Sequence, residues 1–185
     1  MRNLAIGPLC LLAGGLVGLA SAMMAIELYG ASPARPGSPW QRWDATPSKP
    51  AYPYALDHFL LAGRLPPATG QMREFSAGRD GGGATLTARC DYVLMAEAGP
   101  RQWWSMAVVS AGGGAIAANA FIAADTTVAE HDGAVTITVS RHPAGGNWIR
   151  PTTDGGFTLL YTLAEPSPGQ PAGPAPLFGI DKRGC

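Results

Sequence analysis

Residues 4–26 form an unbroken apolar run of 23 residues between Arg2 and Glu27. As a helix it is about 34 Å long, enough to cross the hydrocarbon core of a bilayer. A shorter helical pattern follows at 53–62, where Tyr52, Leu56, Phe59 and Leu60 share one face. Pro53 suits its first turn and Gly63 its stop. Beyond it the period changes to two. Leu86, Ala88, Cys90, Tyr92 and Leu94 alternate with Thr85, Thr87, Arg89, Asp91 and Val93, and Val135, Ile137 and Val139 alternate with Thr136, Thr138 and Ser140. Such alternation marks strands with one buried and one wet face. Residues 103–109 and 157–163 are apolar throughout, as central strands are, and 177–180 reads as a short terminal strand.

Turn signals separate these segments: Asp80-Gly81-Gly82-Gly83, Gly112-Gly113-Gly114, Asp132-Gly133, Gly145-Gly146 and Asp154-Gly155-Gly156. Short strands at this spacing predict an all-β chain. Its core is an antiparallel β-sandwich or jelly-roll-like domain with one short preceding helix, behind an N-terminal transmembrane helix. Between span and domain, residues 30–53 carry six prolines, and Trp40 and Trp43 lie among them, suited either to the headgroup region or to docking onto the domain's apolar surface. That composition predicts a semi-rigid spacer. The resulting division is 1–27 membrane segment, 28–52 Pro-rich spacer and 53–185 β-rich domain.

The apolar run has two readings. Ala20-Ser21-Ala22 satisfies the A-x-A pattern of a cleaved signal peptide. The run exceeds the roughly 7–15 residues of a secretory h-region, which favours a retained signal anchor. Arg2 and the amino terminus bias that end toward the cytoplasm, exporting the remainder. The first partner is therefore the lipid bilayer, met through residues 4–26. Gly7-Pro8-Leu9 ahead of Cys10 makes no lipobox, and Gly14, Gly18 and Ala22 form a small-residue stripe common in membrane helices.

Charge narrows the partners further. Charged residues are 14% of the chain, 13 basic against 13 acidic, and only Lys182 and Arg183 are adjacent cations. Nucleic-acid binding needs a clustered basic face, so that class is excluded.

Cys90 and Cys185 both fall in the exported part, where an oxidising compartment allows a disulfide, while Cys10 stays apart in the span. His58, His131 and His142 lack metal-ligand spacing, so neither a metal nor another cofactor is expected. His58 reads as a residue of the helix's polar side. Gly112-Gly113-Gly114-Ala115-Ile116-Ala117 imitates a dinucleotide fingerprint, but no helical stripe follows it, and a Gly-rich hairpin turn fits better. Ser105 has no nucleophile elbow around it, and the carboxylates are scattered. Trp103, Trp104, Trp148 and Tyr161 either line a groove for sugar or lipid or fill the core.

Taken in order, Tyr54-Ala55-Leu56, Gly63-Arg64-Leu65-Pro66, Arg89-Cys90-Asp91-Tyr92, Trp103-Trp104-Ser105, Asn119, Asp132-Gly133 and Asn147-Trp148 resemble the bacterial domain-of-unknown-function family 1214. The resemblance covers roughly 52–180 and implies a membrane segment followed by one β-rich domain, with no established activity. Relatives tend to carry an Arg-Tyr pair after the asparagine, where this chain reads Ala120-Phe121-Ile122. They also carry an arginine in the late strand, absent from Leu160-Tyr161-Thr162-Leu163. An anionic ligand held by those arginines would find no counterpart here.

Two functions follow. The first is a non-catalytic binding module anchored in the bacterial inner membrane by a single pass, its C-terminal domain in the periplasm. It would bind an envelope protein or glycan through Trp103, Trp104, Asn119, Asn147 and Trp148. The alternative is an envelope enzyme acting on a carbohydrate or lipid, which requires a histidine meeting a carboxylate in a concave site.

Overall fold

The computed structural model describes residues 6–68, 70–111, 120–166 and 173–185. Helix α1 spans Ile6–Gly30, and its stretch Gly7–Gly30 is long and apolar enough to cross a membrane. Its side chains are exposed until the last turns, where Ile26 and Gly30 are buried.

The Pro-rich stretch carries two short strands. It supplies β1 (Ala31–Pro33) and β2 (Gln41–Trp43), which pair with each other, and β2 then pairs with β3 (Met72–Ala77). Proline is tolerated because Pro33 lies on a three-residue edge strand, where a missing N–H costs no ladder bond. Trp40 is fully buried, and its indole N–H donates to the Phe178 carbonyl at 2.6 Å. Trp43 is buried against the helices. Helix α1 therefore runs directly into the folded unit.

Helix α2 (Tyr52–Leu61) follows, with Pro53 in its first turn. The remaining strands are β4 (Asp91–Ala96), β5 (Trp104–Ser110), β6 (Phe121–Ala123), β7 (Val135–Val139), β8 (Asn147–Ile149), β9 (Phe157–Ala164) and β10 (Gly179–Gly184). They form two sheets, a six-stranded one in the order β1-β2-β3-β9-β5-β6 and a four-stranded one in the order β10-β4-β7-β8. Every pair is antiparallel except β7 and β8, which run parallel. The described chain is thus mostly β, with two sheets and two helices and no closed barrel.

One hydrophobic cluster draws on both sheets. Phe75, Met106, Leu159 and Tyr161 come from the larger sheet, and Tyr92, Leu94, Ile137 and Ile149 from the smaller. Trp104, Tyr161 and Phe178 pack as an aromatic group with ring centroids 5.4–6.4 Å apart. Cys90 and Cys185 are joined by a disulfide. It links the residue before β4 to the residue after its edge partner β10 and closes a loop of 95 residues.

The alternation at 85–94 becomes a continuous strand only from Asp91. Thr85 and Thr87 make isolated bridges to Arg79 and Gly156, yet Leu86, Ala88 and Cys90 are still buried as their spacing predicts. A turn closed by the Cys90 N–H on the Thr87 carbonyl interrupts the ladder.

Candidate binding groove

The site is built from the end of α2. Gly63, at φ +66°, donates to the Leu60 carbonyl, and Arg64 N–H donates to the Phe59 carbonyl. This pair of bonds is a Schellman stop, for which a left-handed glycine is the natural residue. It turns Arg64 back over the Phe59 ring, 5.3 Å from its centroid, and onto β3. There one guanidinium nitrogen reaches both Glu74 carboxylate oxygens, at 2.7 and 2.9 Å. Glu74 is 8% exposed. Burial pushes its pKa up, opposed by the charge and hydrogen bond of Arg64.

One turn earlier on α2, His58 lies flat on Trp43, with centroids 3.5 Å apart and planes 10° from parallel. Burial, and then the positive charge of Arg64, lower the His58 pKa to about 4. The ring is neutral at physiological pH. It is not a residue of a wet polar face, because β2, which no local pattern announces, delivers Trp43 beneath it. The Trp43 indole N–H donates to the Ser76 hydroxyl at 2.9 Å. Gly30 completes the junction: a Cβ there would stand 2.8 Å from the Trp43 ring and 3.0 Å from the Tyr54 backbone. Glycine allows α1, α2 and β2 to meet.

Helix α2 runs back along α1. Tyr54 packs beside Tyr29 with centroids 5.5 Å apart, Ala55 and Phe59 cluster with Ile26, and Leu61 lines the same groove as Met23. Between this helix pair and the outer face of the larger sheet lies a groove of about 490 Å³. Its floor includes Val109 and Leu160, which with Ala107 make a small apolar cluster on the sheet's outer face. Thr158, Ser110, Thr85 and Arg79 line it as well.

The groove also takes in Glu27 of α1 among its lining residues. Its histidine faces a cation, Glu74 is held by Arg64, and no side chain on these partners orients His58 as a base. Among the described residues, no three His, Cys, Asp or Glu side chains gather as a metal site would need.

Of the aromatic and amide residues singled out from the sequence, Trp103, Trp104, Asn147 and Trp148 lie elsewhere. Trp104 is in the core, while Trp103 beside it is 44% exposed. Asn147 clamps backbone: its Oδ1 accepts from Val128 N–H at 2.8 Å, and its Nδ2 donates to the carbonyls of Val128 and Thr136 at 2.8 and 2.9 Å. Trp148 donates to the Ser140 carbonyl at 3.0 Å. Asn119 and the run Gly112-Gly113-Gly114-Ala115-Ile116-Ala117 lie outside the described residues. His131 and His142 are exposed, apart from the groove. Sequence reasoning missed Trp43, Arg64, Glu74 and Ser76. The glycine stop at Gly63 was their one local signal, since it fixes where Arg64 points.

A two-sheet, mostly β domain entered by one apolar helix is the class these features define. The family described as "Protein of unknown function (DUF1214)" matches residues 71–168, more than half of the chain. The protein belongs to that family. The matched stretch contains β3 to β9, whereas α1, α2 and Trp43, the helix wall of the groove, precede it. Among solved structures, the VPA0106 protein from Vibrio parahaemolyticus is similar at 19% identity and a TM-score of 0.55. The similarity covers 72% of this chain and 35% of that one, and it concerns the fold. An uncharacterised protein from Burkholderia cenocepacia matches at 17% identity and a TM-score of 0.47, over 75% of this chain and 44% of that one. This chain thus spans about a third to under half the length of these two proteins. No curated protein matches it.

Proposed function

We propose that this is a single-pass protein of the bacterial inner membrane. Its β-sandwich domain sits on the periplasmic side as a non-catalytic binding module. The observation that carries the reading is the groove between α1, α2 and the larger sheet. It is a concavity within the range of small-molecule sites, with Arg64 engaged by Glu74 and His58 kept neutral beside it. The Cys90–Cys185 disulfide supports an oxidising compartment for the domain, and the length of α1 supports anchoring. An enzyme of carbohydrate or lipid would need a carboxylate against His58, and the charge that His58 meets is Arg64.

The test is fractionation followed by thiol alkylation. The chain is expected in the carbonate-washed membrane pellet, with Cys90 and Cys185 alkylated only after reduction and denaturation. A chain in the soluble fraction, or free thiols at both positions in unreduced protein, would overturn the reading.

A further inference from the structure

We infer that the C-terminal tip of α2, carrying Leu60, Leu61 and Leu65, is seated in the bilayer surface from which α1 emerges, as a second membrane contact beside the span. The inference rests on the membrane reading above and concerns how the domain lies on the lipid. Depth is set by charge. The charge-free window 4–26 holds 23 residues, and the hydrocarbon core takes about 20 of them as a helix. Its edge on the domain side therefore falls between Met23 and Ile26, before Glu27. Helix α2 brings its tip to that level, because it packs antiparallel on α1. Tyr54 stands beside Tyr29 with ring centroids 5.5 Å apart, Ala55 and Phe59 cluster with Ile26, and Leu61 shares a groove with Met23. Successive residues of α2 thus descend toward the lipid, and the stop at Gly63 ends the descent there.

At that level the side chains are apolar and uncovered. Leu60, Leu61 and Leu65 are 58, 61 and 85% exposed, a concentration of bare leucine that marks a contact surface. The one charged side chain among residues 60–65, Arg64, is folded onto Glu74 through two hydrogen bonds. The nearest acids stand on the domain side. Glu27 lies four residues beyond Met23 on α1 and Asp57 four residues before Leu61 on α2, each about 6 Å along its helix. Tyr29 and Tyr54 lie on that side too, where tyrosine rings suit the headgroup layer. The two helices run in opposite directions through the chain, yet they present one order in space: methionine and leucine toward the lipid, acid and tyrosine away from it. That agreement names the occupant, because an apolar helix end with its charges displaced toward water suits the boundary between headgroups and acyl chains. A soluble protein partner would require no match with α1.

The test is site-directed spin labelling of the full-length chain, carrying Cys10→Ser, in phosphatidylcholine vesicles. A nitroxide is attached in turn at Leu65→Cys on the tip, Leu16→Cys within the span and His142→Cys after β7 of the smaller sheet. All three side chains are exposed, so each label replaces no packed contact. Collision with oxygen, which partitions into lipid, is compared with collision with a water-soluble nickel chelate. The ratio of oxygen to nickel collisions at Leu65 is expected to exceed that at His142 at least threefold and to approach that at Leu16. A Leu65 label as open to nickel as the one at His142, with Leu16 shielded, would lift the tip clear of the bilayer and overturn the inference while leaving the span intact. A Leu65 label shielded from both reagents would put protein against the tip, and would overturn it equally. Nickel access at Leu16 would sink the membrane reading first, and the inference with it.

Discussion

His58 and Trp43 stack with their ring planes 10° from parallel, and this contact joins α2 to a strand fifteen residues upstream. A neutral imidazole stacks comfortably on an indole. Its protonated form would be half-buried beside the Arg64 guanidinium. The contact therefore makes the helix–sheet junction sensitive to acid.

The sign follows from linkage. In the folded protein the His58 pKa falls from its ordinary 6.5 to about 4. Between those values the unfolded chain binds a proton that the folded chain refuses, so stability is full above pH 6.5 and declines as pH falls to 4. The ceiling is ~1.4 kcal/mol per pH unit, and solvent screening of the half-buried ring reduces it. Denaturant melts should show a loss of ~1–2 kcal/mol between pH 7 and pH 5. Glu74, whose pKa is raised, contributes in the opposite direction, since its protonated form is favoured by the fold. Comparison with His58→Phe separates the two: that variant should lack the loss. An identical pH profile in both proteins would refute the assignment to His58.

The Arg64–Glu74 pair makes a sharper demand. Arg64→Ala leaves a buried carboxylate without its two hydrogen bonds, and should cost about 2–4 kcal/mol. The double variant Arg64→Ala/Glu74→Leu should recover much of that loss, because it removes the stranded charge as well. Thermal melts of the wild type, both single variants and the double variant close the cycle. Additive losses would show that the two side chains act independently.

These two contacts also show what the sequence could and could not reveal. Helix α2 is legible because Pro53 and Gly63 bracket it and each acts locally. Strands β7 and β9 are legible because an alternating or continuous apolar run is itself the physical cause of their burial. Strand β3 is not. Met-Arg-Glu-Phe-Ser-Ala looks half polar, and its outward Glu74 and Ser76 are buried only by Arg64 and Trp43, which other segments deliver. The same holds for β1 and β2, whose prolines announce a linker while long-range pairing makes them a sheet edge. The Trp and Asn residues chosen as binding candidates carry chemistry that can serve a ligand or the backbone equally. For Asn147 the structure shows the backbone use.

Asn147 supplies a third prediction. Its side chain makes three hydrogen bonds that tie β7 and the segment before it to β8. Asn147→Ala removes all three, with water replacing part of the loss at this half-buried position, and should destabilise by ~1–3 kcal/mol. Hydrogen exchange is the discriminating measurement. The amide of Val128 should lose protection while those of β5 and β9 keep theirs. Unchanged protection at Val128 would mean that the clamp is not formed in solution.

The disulfide gives the largest expected effect. Cys90–Cys185 closes a loop of 95 residues, and loop-closure entropy credits such a crosslink with ~4.7 kcal/mol against the unfolded chain. Strand β10 is an edge strand paired only with β4 and is exposed along most of its length, so little else holds it. Its one deeply buried side chain, Ile180, joins the core beside Phe178, whose carbonyl receives the Trp40 indole. Reduction, or Cys185→Ser, should therefore free β10 first and then loosen Trp40, shifting tryptophan emission to the red before global unfolding. Cys10→Ser, remote from the domain in α1, should change neither stability nor emission. A reduced chain that unfolds at the same denaturant concentration as the oxidised one would show that β10 is held by its packing alone.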